Sequence, residues 1–99
     1  MENKYINKLK EYILDFLENE EVKVFLFGSR AKGDNAPTSD VDIGLLPHKN
    51  GTFDRSKVSL LKEKIEDLNI PYKVEIVTFD ETSNDFKKFA MKDIVIWKN

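Results

Sequence analysis

The stretch that decides the fold covers residues 27–46 and reads Phe-Gly-Ser-Arg-Ala-Lys-Gly-Asp-Asn-Ala-Pro-Thr-Ser-Asp-Val-Asp-Ile-Gly-Leu-Leu. An apolar run, residues 22–27, leads into it, and its last residues form a second apolar run. Between the two runs lie a Gly-Ser pair and a polar loop that contains Pro37. Since proline interrupts regular pairing, the pattern predicts a strand, a phosphate-binding loop and a second strand over residues 40–46.

Two carboxylates open the second predicted strand. Side chains alternate along a strand, so Asp40 and Asp42 share one face while Val41, Ile43 and Leu45 take the other. Two carboxylates about 4 Å apart repel each other by roughly 4 kcal/mol at an effective dielectric constant near 20. A hard divalent cation such as Mg²⁺ or Mn²⁺ removes that repulsion and prefers oxygen ligands. The pair is therefore a candidate metal site.

The Gly-Ser pair supplies the complementary half of the predicted site. Gly28 allows the backbone to approach a bulky anion, and a helix that begins near Ser29 presents free amide groups to phosphates. Arg30, one of only two arginines in the chain, follows directly. Its planar guanidinium suits phosphate better than an ammonium does. A plain surface position for Arg30 is the alternative.

A third carboxylate lies further along the chain, in a strand predicted over residues 73–78. Glu75 has apolar neighbours on both sides, as Asp42 does. If this strand pairs beside the second one, Glu75 comes close to both aspartates and is a third candidate ligand. The alternative is an exposed strand glutamate that pairs with Lys73.

Two short motifs carry a family resemblance: Gly28-Ser29-Arg30-Ala31-Lys32-Gly33 and Ser39-Asp40-Val41-Asp42-Ile43. Together they resemble the signature of the DNA polymerase beta-like nucleotidyltransferase superfamily, in its minimal nucleotidyltransferase (MNT) branch. The resemblance covers nearly the whole chain and implies one domain over residues 1–99. It also implies an α/β (α+β) fold, a small mixed sheet flanked by helices. In that family the third carboxylate is commonly aspartate, so Glu75 departs by one methylene.

The resemblance implies an activity and a set of site residues. It implies transfer of a nucleoside monophosphate, AMP from ATP in the first instance, to a hydroxyl acceptor, with two Mg²⁺ ions as cofactors and Mn²⁺ as a substitute. The implied metal-binding and catalytic residues are Asp40, Asp42 and Glu75. The implied nucleotide-binding residues are Gly28, Ser29, Arg30, Lys32 and Ser39.

The same resemblance implies a protein partner. MNT proteins are the antitoxins of helical HEPN toxins, which suggests transfer of AMP to a tyrosine of such a toxin. Two alternatives stay open. The first is a nucleotide-binding antitoxin that inhibits its partner by contact without catalysis. The second is a transferase for small molecules of the antibiotic type, completed by a second subunit.

Composition narrows the remaining classes of function. The chain has 99 residues, of which 40% are hydrophobic and 34% charged, which is ordinary for a globular protein. A net charge of −2 argues against direct nucleic-acid binding, which needs a basic face. Without cysteine there is neither a disulfide nor a thiolate metal site. No membrane span or signal peptide is apparent, and we expect a cytoplasmic protein.

The rest of the chain is predicted to support this site. Apolar residues at helical spacing predict amphipathic helices over residues 3–18 and 54–68, and a short third helix around residues 86–90. The second of these helices suits a crossover between two strands. The single histidine, His48, is interpreted as a loop residue. The tail, residues 93–99, is interpreted as an edge strand or a partner-facing patch, with Trp97 either an interface anchor or a core residue.

Overall fold

A computed structural model describes residues 4–33, 40–81 and 84–99. The helices are α1 (Lys4–Phe16), α2 (Ser29–Lys32), α3 (Ser56–Glu66) and α4 (Asn84–Ala90), with a 3-10 turn at Phe79–Glu81. The strands are β1 (Val22–Phe27), β2 (Val41–Pro47), β3 (Val74–Thr78) and β4 (Val95–Lys98). No helix in these described segments is long and apolar enough to cross a membrane.

The four strands form one mixed sheet in the order β3-β2-β1-β4. Strand β1 runs antiparallel to both of its neighbours, β2 and β4. Strands β2 and β3 are parallel. The crossover helix α3 lies between them in the chain and returns it to the end of the sheet where β2 begins. The predicted small mixed sheet flanked by helices is confirmed, and so is the crossover helix.

The helix boundaries differ from the predicted ones for local reasons. Asp54 stays outside α3, where its carboxylate accepts hydrogen bonds from the backbone amide of Ser56 (3.0 Å) and the Ser56 hydroxyl (2.6 Å). The helix therefore begins two residues later than predicted. At the other end Asn69 adopts a left-handed backbone with φ 55°, which terminates the helical path before Pro71.

The sheet is covered on both faces, which explains why β1 is almost wholly apolar. On one face α1 and α3 bury a large cluster: Ile6, Leu9, Ile13, Leu17, Val22, Val24, Leu26, Val41, Ile43, Leu45, Leu61, Ile65, Ile76 and Trp97. On the other face Phe25, Phe27 and Phe79 form a compact aromatic group. Phe79 meets both other rings edge-on with centroids 5.0 Å apart. Gly44 makes room, since an added Cβ would lie 2.3 Å from the Phe25 ring.

The chain's last strand resolves one of the open alternatives. Residues 95–98 form the edge strand β4, and Trp97 is only 8% exposed within the helix-side cluster. Its neighbours Val95 and Ile96 are 41% and 47% exposed. Trp97 is thus a core residue in this chain. His48 lies just after β2, exposed, as predicted for a loop residue.

The burial contrast along β4 gives a stability test. We expect Trp97→Ala to lower the free energy of unfolding by about 3 kcal/mol, because it leaves a cavity in the core. Ile96→Ala is the matched control on the same strand and should cost less than about 1 kcal/mol, because its side chain is half in water. Urea denaturation followed by circular dichroism measures both. Equal losses would contradict a core role for Trp97.

Candidate functional site

The predicted acidic residues meet at one end of the sheet, where β1 ends and β2 and β3 begin. Asp42 is the pairing partner of Phe27 on β1 and of Glu75 on β3. Paired residues on neighbouring strands point to the same face, so Asp42 and Glu75 lie side by side on the aromatic face of the sheet. The predicted pairing of β3 beside β2 is confirmed. Asp40, predicted within the strand, instead lies just before β2 and is exposed.

The electrostatics of Asp42 reflect this crowding. Burial raises the pKa of the Asp42 carboxyl above its usual value, and the negative charges of Asp40 and Glu75 raise it further. Burial is the largest cause, and Asp42 lies beside Phe27 of the aromatic group on this face of the sheet. The charges of the other two carboxylates act on Asp42 in the same direction. A cation at this point would relieve both effects.

Gly28 connects the end of β1 to α2 in a conformation that other residues rarely adopt. Its φ is 78° and its ψ is −155°. A Cβ added here would lie 2.5 Å from the Asp42 Oδ2 atom. Glycine is therefore required at this position for two reasons: its backbone angles and the close approach of the Asp42 side chain. The short helix stops at Gly33, which is left-handed with φ 82°.

The residues of α2 take different positions around this end of the sheet. Ser29 and Arg30 are partly buried, whereas Lys32 is exposed. The Arg30 guanidinium lies 4.2 Å from the centre of the Tyr72 ring, a close cation–π contact. Tyr72 in turn meets Tyr5 edge-on, with centroids 6.2 Å apart. Ser39, predicted to bind nucleotide, lies outside the described residues.

Sequence reasoning did not connect Arg30 with Tyr72, because the two are 42 positions apart and nothing local links them. The contact joins α2 to the segment before β3. The second arginine, Arg55, pairs with the Asp80 carboxylate through both terminal nitrogens. The Arg55 guanidinium lowers the pKa of Asp80. This pair ties the start of α3 to the turn after β3.

The position of Glu75 is compatible with the ligand interpretation, and its side chain also makes the ion pair of the alternative interpretation. Glu75 lies beside Asp42 in the sheet register, and its Oε1 atom is also 3.0 Å from the Lys73 ammonium. Across residues 4–33, 40–81 and 84–99, no three acidic, histidine or cysteine side chains are arranged as a ready metal site. The carboxylates thus come together by position, while Glu75 is engaged by a lysine.

The donor chemistry at this end of the sheet fits a hard divalent cation. The acidic side chains offer oxygen atoms only, which Mg²⁺ and Mn²⁺ prefer. Burial raises the pKa of Asp42 most, the negative charges of Asp40 and Glu75 raise it further, and a bound cation would offset these effects. The residues that would hold the ion are Asp40 and Asp42, with Glu75 as the third candidate.

A family comparison agrees with the geometry. Residues 7–99 match the family model described as polymerase beta, nucleotidyltransferase. The chain belongs to the polymerase beta nucleotidyltransferase family.

Among curated proteins, the nucleotidyltransferase domain is similar to the probable protein adenylyltransferase MntA of Haemophilus influenzae. The two are 30% identical over 73 residues, which cover 74% of this chain and 62% of that protein. The chain thus spans less than two thirds of the length of this relative.

Among solved structures, a minimal nucleotidyltransferase superposes with a TM-score of 0.69 at 21% identity, covering 96% of this chain and 95% of that one. A toxin–antitoxin complex with AMP-PNP gives a TM-score of 0.66 at 21% identity, covering 89% and 71%. A tri-AMPylated Shewanella oneidensis HEPN toxin in complex with MNT antitoxin gives 0.61 at 18% identity, covering 92% and 70%. At these identities the likeness establishes the fold.

The two glycines that bound α2 provide a matched test of the close approach to Asp42. Gly33 has a similar positive φ, but an added Cβ there meets nothing within 4 Å. We expect Gly33→Ala to cost about 1 kcal/mol of unfolding free energy, from backbone strain alone. Gly28→Ala should cost about 2–3 kcal/mol or more, because strain and the clash with Asp42 add. Chemical denaturation of both variants measures the difference, and equal costs would contradict the clash.

The raised pKa of Asp42 makes a prediction about pH. In the folded state Asp42 holds its proton to higher pH than in the unfolded chain, so stability falls as pH rises from the ordinary aspartate value through the folded-state pKa. In metal-free buffer at pH 7, Asp42→Asn should therefore raise the unfolding free energy, by roughly 0.5–1 kcal/mol after allowance for screening. The gain should vanish below about pH 4.

The control for this pH experiment is Glu63→Gln, which makes the same charge change on the exposed side of α3. It should leave the pH profile close to that of the unmodified chain. A constant gain for Asp42→Asn between pH 3 and about pH 8 would contradict the electrostatic cause.

Proposed function

We propose that this chain is a magnesium-dependent nucleotidyltransferase that transfers AMP from ATP to a tyrosine hydroxyl of a helical HEPN toxin, and so acts as its antitoxin in the cytoplasm. We propose further that residues 1–99 act as one domain. The single observation that carries the proposal is the position of Asp42. Its carboxylate lies against the Gly28 backbone and within the field of two other carboxylates.

The proposed roles follow from where each side chain lies. Gly28 allows the Asp42 carboxylate to lie against the backbone, which brings this metal-ligand candidate next to the loop that would bind the phosphates. The Ser29 hydroxyl is a hydrogen-bond donor for a phosphate oxygen. Arg30 and Lys32 add positive charge on the same short helix, and Ser39 is the remaining proposed nucleotide contact.

The proposed metal ligands are Asp40 and Asp42, with Glu75 as the third. When bound, a divalent cation neutralises phosphate charge and lowers the pKa of an attacking hydroxyl. In the reaction a bond forms between the acceptor oxygen and the α-phosphorus, and the bond from that phosphorus to the bridging oxygen of the β-phosphate breaks. Pyrophosphate leaves, and the hydroxyl proton passes to water. The chain's part is to hold the triphosphate and the acceptor in line.

The proposed partner and nucleotide rest on similarity. The Haemophilus influenzae relative is named as a protein adenylyltransferase, and the similar structures include a toxin–antitoxin complex with AMP-PNP and an AMPylated HEPN toxin with its MNT antitoxin. Since this chain spans 62% of that relative, the same activity and partner are proposals for this chain.

A second candidate function is inhibition of the partner by contact, without transfer. The observation that favours it is the ion pair between Glu75 and Lys73, which engages the third carboxylate. In that case the carboxylates would matter for nucleotide binding only. The two candidates differ in whether Asp42 is needed for the antitoxin effect.

The test is transfer of label from ATP labelled at the α-phosphate, with Mg²⁺, to a HEPN-type protein that co-purifies with the chain. We expect labelled partner with the unmodified chain. Asp42→Asn should reduce labelling about a hundredfold or more, because a metal ligand is lost. Glu63→Gln, an equal charge change far along α3, should label normally.

The second arm measures inhibition of the toxin in the same preparations. Loss of both labelling and protection in Asp42→Asn supports transfer as the antitoxin mechanism. Protection that persists without labelling, despite bound nucleotide, would replace transfer by inhibition through contact.

A further inference from the structure

Lys73 is fixed beside the acidic residues by the start of the parallel pairing. Its carbonyl oxygen accepts a hydrogen bond of 2.8 Å from the backbone amide of Val41. Lys73 and Glu75 are two positions apart along an extended chain, so they share a face, and Glu75 shares that face with Asp42. The lysine therefore belongs to the same end of the sheet as the carboxylates, although no sequence motif includes it.

The Lys73 ammonium sits in the field of two of the three carboxylates. Its Nζ atom is 3.0 Å from Glu75 Oε1. The hydrogen bond to Glu75 raises the pKa of Lys73, and the charges of Glu75 and Asp40 raise it further. Lys73 and Glu75 are also among the residues that border a cleft of about 510 Å³ between α3 and β3, together with Lys62 and Tyr72. The lysine thus holds positive charge next to the carboxylate group that a metal would use.

We propose that Lys73 sets the cation affinity of this site, because its ammonium holds the Glu75 carboxylate and competes with a divalent cation for it. The inference rests on the proposed function, in which these carboxylates bind metal. It also accounts for an observation made above: within the described residues the acids share one end of the sheet, yet no three of them are arranged as a metal site. Glu75 points its oxygen to Lys73 instead.

The exposure of the pair decides how strong this competition is. The Lys73 and Glu75 side chains are 68% and 45% exposed, and ion pairs that are this exposed to water are weak. A divalent cation with two charges can therefore displace the ammonium, at a cost in affinity of a few fold. Lys73 therefore lowers the affinity of Glu75 for a divalent cation without preventing the cation from binding.

The test is manganese binding by the full chain without nucleotide, followed by electron paramagnetic resonance of free Mn²⁺. We expect Lys73→Met to bind Mn²⁺ about three- to tenfold more tightly than the unmodified chain, because the competing charge is gone. Lys62→Met is the matched control, since it removes the same charge from the same cleft on α3, and it should change the affinity less than twofold. Lys73→Arg should keep the original affinity.

A double variant separates the competition for Glu75 from a general charge effect. In a chain that already carries Glu75→Gln, adding Lys73→Met should not raise the affinity, because the carboxylate that the ammonium holds is absent. A gain from Lys73→Met in the Glu75→Gln background, or an equal gain in Lys62→Met, would overturn the role of Lys73. So would an unchanged affinity in Lys73→Met. Circular dichroism verifies that each variant is folded.

Asp42→Asn makes the failure of this inference distinguishable from failure of the proposed function. If manganese binds the unmodified chain and Asp42→Asn abolishes binding, the metal site stands whatever Lys73→Met does. Manganese binding that Asp42→Asn leaves intact would count against the proposed site itself. Absence of binding in every variant would overturn both proposals.

Discussion

The register between β2 and β3 is the constraint on which the rest of the structure depends. Because β2 and β3 are parallel, the chain needs a long crossover between them, and α3 provides it over one face of the sheet. The register also sets Glu75 directly beside Asp42. A slip of one residue would turn Glu75 toward the helices and Ile76 toward the acids. The apolar side chains that α1 and α3 bury therefore also hold the carboxylates in position.

The aromatic face gives these carboxylates their unusual surroundings. Phe25, Phe27 and Phe79 pack together on the side of the sheet where Asp42 lies, and Gly44 leaves the space that this packing needs. Asp42 is consequently half-buried at the edge of an apolar group, where its charge is less well hydrated. The partly buried charge of Asp42 costs the cation-free protein electrostatic free energy. A cation that binds there would remove this cost, which would favour its binding.

The sequence was most informative where a local pattern dictates structure. Helical spacing in α1, the apolar run of β1, and the Gly-Ser pair before α2 all predicted elements that the structure contains. Pairing of β3 beside β2 is enough to predict that Glu75 lies close to Asp42. The position of Asp40 outside β2 was missed by one residue, because strand ends leave no local signature. The contacts of Arg30 with Tyr72 and of Arg55 with Asp80 depend on tertiary packing, which spacing along the chain does not encode.

The contact between Arg30 and Tyr72 has a consequence for the entropy of binding. A free arginine side chain on the surface samples many rotamers, and an anion that binds it must restrict them all. Here the flat ring of Tyr72, itself supported by Tyr5, already restricts the guanidinium in the folded chain. Part of the ordering cost is thus met during folding, so any anion that Arg30 binds meets a preorganised partner.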